Sequence, residues 1–507
     1  MKRKNNKNSS IVLSCITVLI AFFAFSGCDN GSNNDPNETD SLNVQITIDK
    51  TKTFQEIWGF GATIGRSAEG VHEFDTLNVS VQDEILDFLF KNTDDNCGLT
   101  IASLTVKPFH NPSPGRYIWA EDAPTLTNAV TYGEKKQMED TQLQLNFANE
   151  ALKRNPDLRF KATVFSPPAY MKDPPNVNGG ILATASYDDF VNWLGVWMDK
   201  YRGDKASGGY GYNIMWLSPQ NEPDLSSQWH QAKYTAVQFD EMFYRLGTSL
   251  KNKYGADISL WPYLIGGPDT SGLSPANNFV NAMKNGTGRN SIDFLGYIAT
   301  HNYNYNDLTT VDHITNYLPT MKTFGIPIFQ AEACDGHNDH VTTMEDGIKW
   351  AEQMSIYLNN GAVAYLYWWF AAGHTTTNQM LVYFNQFTNL YDKAKRCYVF
   401  GQYSRYMRPG DIRVAADVTG LRRERFYATA VKDHITGKLS LVVTNRTEQD
   451  ITATIKGFDA TTLGGRRTSR TMDMTPLVQL NASDKVYTMT FPALSVTSLC
   501  EDNYIDN

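Results

Sequence analysis

The amino-acid sequence predicts an α/β protein, a (β/α)8 TIM barrel followed by a C-terminal antiparallel β side domain. Three observations lead there. Between residues 54 and 400, short apolar runs alternate with longer stretches of helical periodicity, the pattern of parallel strands joined by helical crossovers. After Met407-Arg408-Pro409-Gly410 the texture changes to short β-branched segments broken by turn residues, which suits antiparallel strands. The chain has 507 residues, more than one ordinary core accommodates, so a large domain and a smaller one are expected.

The elements follow in order. Lys2, Arg3, Lys4 and Lys7 precede an uncharged apolar run over 11–25, and then comes Ser26-Gly27-Cys28. A basic stretch, an apolar stretch and small residues before the cut make a secretory signal over 1–28. The run is short for a membrane-spanning helix, which needs about 20 apolar residues. Small residues directly before a cysteine resemble a bacterial lipoprotein signal, with Cys28 as the lipidated N-terminus. The expected location is therefore the cell envelope, at the outer membrane, with the lipid as the sole membrane contact. Residues 29–41 are polar, acidic and free of apolar side chains, so 29–42 reads as a flexible tether. Residues 43–53 carry the β texture of the C-terminal region and are expected to join it.

Within the barrel, 54–400, strands are predicted at 58–63, 99–106, 158–166, 214–220, 259–266, 292–300, 327–331 and 362–369. Val81, Ile85, Leu86 and Leu89 give one helical face. Phe190, Trp193, Leu194 and Trp197 give a second, and Phe239, Met242, Phe243 and Leu246 a third. Side-domain strands are predicted at 438–444, 450–455 and 487–491 within 401–507.

Composition excludes several functions. Apolar residues are 41% and charged residues 20%, enough for a sizeable core. Lys+Arg number 45 against 54 Asp+Glu, a net charge of −9. A polyanion partner such as DNA needs surplus cations, so no nucleic acid is expected. Past Cys28 the cysteines are Cys97, Cys334, Cys397 and Cys500, too widely spaced for a disulfide framework. One or two bridges stay open, with pairing undetermined. A monomer is expected.

Barrel active sites sit where strands end. The fourth strand ends Trp216-Leu217-Ser218-Pro219-Gln220-Asn221-Glu222-Pro223-Asp224, and the seventh ends Ile328-Phe329-Gln330-Ala331-Glu332. Two carboxylates facing each other across a barrel mouth suit glycosidic bond cleavage, one as proton donor and one as nucleophile or base. Pro223 fixes the turn after the acid, and Asn221 offers an amide to a sugar hydroxyl. Aromatic residues near strand ends supply flat faces for sugar C–H groups: Trp58, Tyr170, Trp229, Tyr303, Trp368 and Trp369.

These residues carry a family resemblance. WLSPQNEPD (216–224) resembles the acid/base strand of retaining glycoside hydrolases on (β/α)8 barrels. More narrowly, the chain resembles glycoside hydrolase family 30 in FQEIWGFGATIGRS (54–67), FSPPAYMKD (165–173) with Gly179-Gly180, His301-Asn302-Tyr303, RCYVFGQYSRYMRPGDIRV (396–414) and FPALSVTSL (491–499). The resemblance is closest to the branch containing xylanases. It implies Glu222 as acid/base and Glu332 as nucleophile. Asn221, Trp229, His301, Tyr303, Tyr170, Trp368 and Trp369, by their chemistry and place at strand ends, are expected to bind substrate. The resemblance implies no metal and no organic cofactor. The expected substrate is a plant-type polysaccharide, foremost β-1,4-xylan cut internally. A β-1,6-glucanase, β-xylosidase, β-fucosidase or β-glucosidase is the alternative within the family, and a non-catalytic polysaccharide-binding lipoprotein the alternative outside it.

Some positions depart from the family pattern. In LTIASLTVKP (99–108), Ser103 or Thr105 stands where an arginine is usual, and Lys107 is the expected stand-in. Tyr170 stands where a tryptophan is commoner. After the eighth strand come Ala371-Ala372-Gly373-His374 rather than an arginine able to grip a uronate, so no dependence on glucuronic acid is expected. Cys334, Asp335, His337, Asp339 and His340 could ligate zinc, but a polar substrate-side loop is the favoured reading.

Overall fold

The computed structural model describes residues 44–501 except 65–73, 94, 108–131, 228, 287, 304–306, 336–340, 374–377 and 421–424. Eight strands form the barrel: Gly59–Thr63, Ile101–Val106, Arg159–Val164, Ile214–Ser218, Leu264–Thr270, Tyr297–Tyr303, Ile328–Cys334 and Ala362–Gly373. All neighbours are parallel, and pairing of the eighth with both the seventh and the first closes the ring. Nearly every strand residue is buried, because helices cover the outer face and side chains fill the inner one.

The predicted helical faces are found in Val79–Phe90, Tyr187–Arg202 and Ala236–Tyr254, where all the named residues but Val81 are buried. A capping box starts the last of these: Thr235 Oγ1 accepts from the Gln238 N–H, and Gln238 Oε1 accepts from the Thr235 N–H.

Two strands lie later in the chain than the sequence predicted. The fifth was expected at 259–266 and runs Leu264–Thr270; the sixth was expected at 292–300 and runs Tyr297–Tyr303. The apolar residues before each strand are used in short 3-10 turns, Ile258–Leu260 and Ser291–Phe294. Asp257 caps the first turn through the Ser259 N–H. The seventh strand continues through Glu332 to Cys334 rather than stopping at 331.

The closed end of the barrel is apolar. Trp58 lies just before the first strand and stacks on Trp216, with ring centroids 5.4 Å apart. Phe329 packs against Trp216 at 5.4 Å and Tyr297 at 5.5 Å. Trp58 thus belongs to this plug, at the end away from the carboxylates, and is not a substrate-side aromatic.

The side sheet is antiparallel apart from one pairing. Its first member, Val44–Glu56, extends past the expected 43–53. It pairs antiparallel with Ile412–Thr419 and parallel with Ile451–Lys456. The helix Lys395–Tyr406 runs through the 400/401 boundary expected from sequence and is buried from Arg396 onward. It lies between barrel and sheet. Tyr403 Oη donates to the Ala351 carbonyl at 2.9 Å and meets Thr444 Oγ1 at 2.8 Å. The buried Glu352 carboxylate takes Arg425 and the Tyr427 hydroxyl from the sheet side. The four cysteines among the described residues are buried free thiols, with Cys97 and Cys397 Sγ 3.1 Å apart. Among the described residues no helix is long and apolar enough to cross a membrane. Cys28 and His374 lie outside the described residues.

Candidate active site

Glu222 and Glu332 come together at the mouth of the barrel. Glu332 is on the seventh strand, in register with His301 on the sixth. Glu222 follows the fourth strand in a left-handed conformation, φ +42°, which a non-glycine residue adopts only when its surroundings hold it there. They do so twice: the Glu222 N–H donates to the Asp269 carbonyl at 2.8 Å, and Gln231 Nε2 donates to the Glu222 carbonyl at 2.6 Å. Lys172 extends the support, donating to the Gln231 carbonyl at 2.6 Å, the Val177 carbonyl at 2.9 Å and Ser166 Oγ at 2.8 Å. Burial pulls the Lys172 pKa down to about 7.

His301 stands between the glutamates. Its Nδ1 is 3.2 Å from Glu222 Oε1 and 3.7 Å from Glu332 Oε1, while Nε2 is 3.1 Å from Asp269 Oδ1. The other Asp269 oxygen takes Lys161 Nζ at 2.6 Å. All five side chains are almost completely buried. Burial opposes the imidazolium, yet the charge of Glu332 and the bonds to Asp269 and Glu222 hold its pKa well above the ordinary value. Burial likewise opposes the Asp269 carboxylate, but Lys161 and His301 outweigh it and hold that pKa low. Burial pushes Glu332 well upward; His301 and Lys161 pull it back, while Glu222 and Asp269 push with burial. One donor atom each from Glu222, His301 and Glu332 lies within 4.8 Å of the others.

Asn221 is buried beside Glu222, with its N–H on the Val164 carbonyl at 2.7 Å. Its Oδ1 is buried and has no hydrogen-bond partner among the described residues. Tyr303 meets His301 edge-on at 5.7 Å. Trp368 stacks on Phe165 at 6.1 Å and on Trp369 at 5.2 Å; Trp369 also packs against Met380, Tyr383 and Ala394. Tyr170 is half-buried, and Trp229 is 55% exposed. Both ring nitrogens of His301, expected among the substrate-binding residues, face carboxylates.

Lys107, the stand-in expected on the second strand, lies close enough to His230 for its charge to lower that pKa. The cation among the carboxylates is Lys161, on the third strand and in register with Ser103. Sequence reasoning missed Lys161 and Asp269. The available signals were a lysine inside the otherwise apolar run Phe160–Val164, and an acid in Gly266-Gly267-Pro268-Asp269 where a strand ends.

Known proteins share this architecture. The catalytic domain of a family 30 xylanase C from Talaromyces cellulolyticus superposes with a TM-score of 0.68 at 19% identity, covering 90% of this chain and 99% of that one. An endo-β-1,6-glucanase superposes with a TM-score of 0.66 at 16% identity, covering 90% and 94%. A Caenorhabditis elegans protein named as a glucosylceramidase is 23% identical over 411 residues, 76% of this chain and 72% of its own length. Residues 57–382 match the glycosyl hydrolase family 30 TIM-barrel domain, and the chain belongs to that family of glycoside hydrolases.

Proposed function

We propose that the protein is a retaining β-glycoside hydrolase that cuts β-1,4-xylan internally, with no requirement for glucuronic acid side groups. The observation that carries the retaining assignment is the approach of Glu222 and Glu332, whose nearest carboxylate oxygens lie within 4.8 Å. Retaining enzymes hold the two carboxyl groups about 5–5.5 Å apart, and inverting ones about 6.5–9.5 Å to admit a water. Glu332 attacks the anomeric carbon while Glu222 gives its proton to the leaving oxygen, forming a glycosyl-enzyme. Glu222 then takes a proton from the water that releases the sugar. The bent backbone at Glu222 aims its carboxyl at the leaving group. The xylanase likeness supports the xylan reading. The similarly good fit to an endo-β-1,6-glucanase favours β-1,6-glucan as the second reading.

The test is product analysis on arabinoxylan, glucuronoxylan, de-glucuronidated xylan and β-1,6-glucan, together with activated aryl β-glycosides. Xylo-oligosaccharides from both uronate-free and decorated xylan are expected. Activity on β-1,6-glucan alone replaces xylan by the second reading, and strict loss on uronate-free xylan overturns the independence from glucuronic acid. Glu222→Gln should spare glycosylation by aryl glycosides with good leaving groups, which need no proton, whereas Glu332→Gln should abolish turnover of every substrate. Near wild-type hydrolysis by Glu332→Gln would overturn the nucleophile assignment.

We also infer that the enzyme is held at the cell envelope by lipid on Cys28, from the Ser26-Gly27-Cys28 pattern. Cys28→Ala should then leave the membrane fraction, because the acyl chains supply the affinity. Equal membrane partition of mutant and wild type would sink the anchor.

A further inference from the structure

We propose that Lys161, clamped by Asp269, is the positioning cation of the glutamate pair: together with His301 it sets the number of protons the buried cluster carries at one. The inference rests on the glycosidase reading above and deepens it.

Among the described residues, the ionisable groups facing the pair come from five strands. Lys161 comes from the third strand, Glu222 from the end of the fourth, Asp269 from the fifth. His301 and the Tyr297 phenol come from the sixth, and Glu332 and the Cys334 thiol from the seventh. Burial holds that phenol and that thiol neutral, with their pKa values raised well above the ordinary. Uncompensated charge in such a site is costly, so the favoured protonation state is the electrically neutral one. Lys161 and His301 contribute two positive charges and Asp269 one negative charge. Neutrality then requires one ionised glutamate and one protonated glutamate, which is the state a double displacement starts from. Without Lys161 the same rule demands a second proton, and the nucleophile is lost at acidic and neutral pH.

The geometry gives Lys161 no other task. Its ammonium donates to Thr163 Oγ1 and to Asp269 Oδ2, and Asp269 passes the constraint to His301 Nε2. The side chain is 1% exposed, so the ion pair is screened little by salt.

Lys161→Met removes the charge at similar length, and Lys161→Met/Asp269→Asn removes one charge of each sign and restores the count. The readout is the pH profile of kcat/KM on 2,4-dinitrophenyl β-xylobioside and β-glucoside, whose limbs report the free enzyme. In parallel, infrared difference spectra count the protonated carboxyl bands of the pair, one expected in wild type and two in Lys161→Met at pH 5. In Lys161→Met the acidic limb should move up by at least one pH unit, so that loss at pH 5 exceeds loss at pH 8 at least tenfold. In the double mutant the limb should return to within half a unit of wild type, even if the rate is lower. An equal fold-loss at every pH, or a double mutant whose limb stays with the single, overturns the proposal and leaves Lys161 a structural ion pair. The infrared titration decides the same question without turnover. A wild type inactive on all glycosides would therefore refute the functional reading while the role of Lys161 is still judged.

Discussion

The two ends of the barrel are built from the same eight strands and have opposite chemistry. At the closed end Trp58, Trp216, Tyr297 and Phe329 interlock. At the mouth Lys161, Glu222, Asp269, His301 and Glu332 share a small buried space. Hydrophobic burial is non-directional, while buried charge is favourable only in one arrangement and one protonation state. The difference teaches that the closed end supplies stability and the mouth draws on it to hold a destabilised, reactive set of groups.

Perturbing each end should therefore move different quantities. Trp216→Ala should cost about 3–5 kcal/mol, as large-to-small substitutions of buried aromatics do. It should lower the denaturation midpoint while the pH profile keeps its shape. A shifted profile would mean that the ends are not separable.

The next test concerns a charge at the closed end. Asp411 is buried there, its carbonyl accepting from the Ile57 N–H at 2.8 Å and its carboxylate from the Arg408 N–H at 2.7 Å. Burial raises its pKa to about 6. The folded protein thus holds this proton more tightly than the unfolded chain, whose Asp titrates near 3.9. Its contribution is present below that value and is lost as pH rises through about 6. Asp411→Asn should consequently stabilise by about 2 kcal/mol at pH 8 and hardly at all at pH 4, read from urea melts at both. Equal effects at the two values would remove Asp411 as an exception to the contrast.

The smallest effect belongs to the mouth. Glu332→Gln should abolish activity yet raise stability by about 1 kcal/mol, since burial and the charges of Glu222 and Asp269 disfavour a carboxylate at this position and a neutral amide removes that cost. A loss of stability would show that the glutamate pair is structural as well as reactive.

Much of this was legible in the sequence, for identifiable reasons. Apolar runs and helical periodicity located the strands and helices because both depend on local pattern. Glu222 and Glu332 were legible because each closes an apolar run. The fifth and sixth strands were displaced because their polar C-terminal halves, Gly-Gly-Pro-Asp-Thr and Thr-His-Asn-Tyr, read as loop. Polar residues are tolerated there because they line the inside of the mouth. Lys161 was missed for the same reason: a strand lysine reads as solvent-facing until ring closure turns its face inward. The partnership of Lys161 with Asp269 spans 108 positions, and no local pattern carries it.

The pairing of Val44–Glu56 inside the side sheet bears on how the chain comes to be folded. Thr454 Oγ1 reaches the Val44 carbonyl across 410 positions. At about 5–20 residues per second of synthesis, a strand made first waits roughly 20–80 s for the partner strand made last. Contacts of such long range are also slow to close. During that interval Val44, Ile46 and Ile48, all buried in the finished sheet, form an alternating apolar edge open to other chains. Refolding from denaturant should accordingly aggregate less as the chain is diluted.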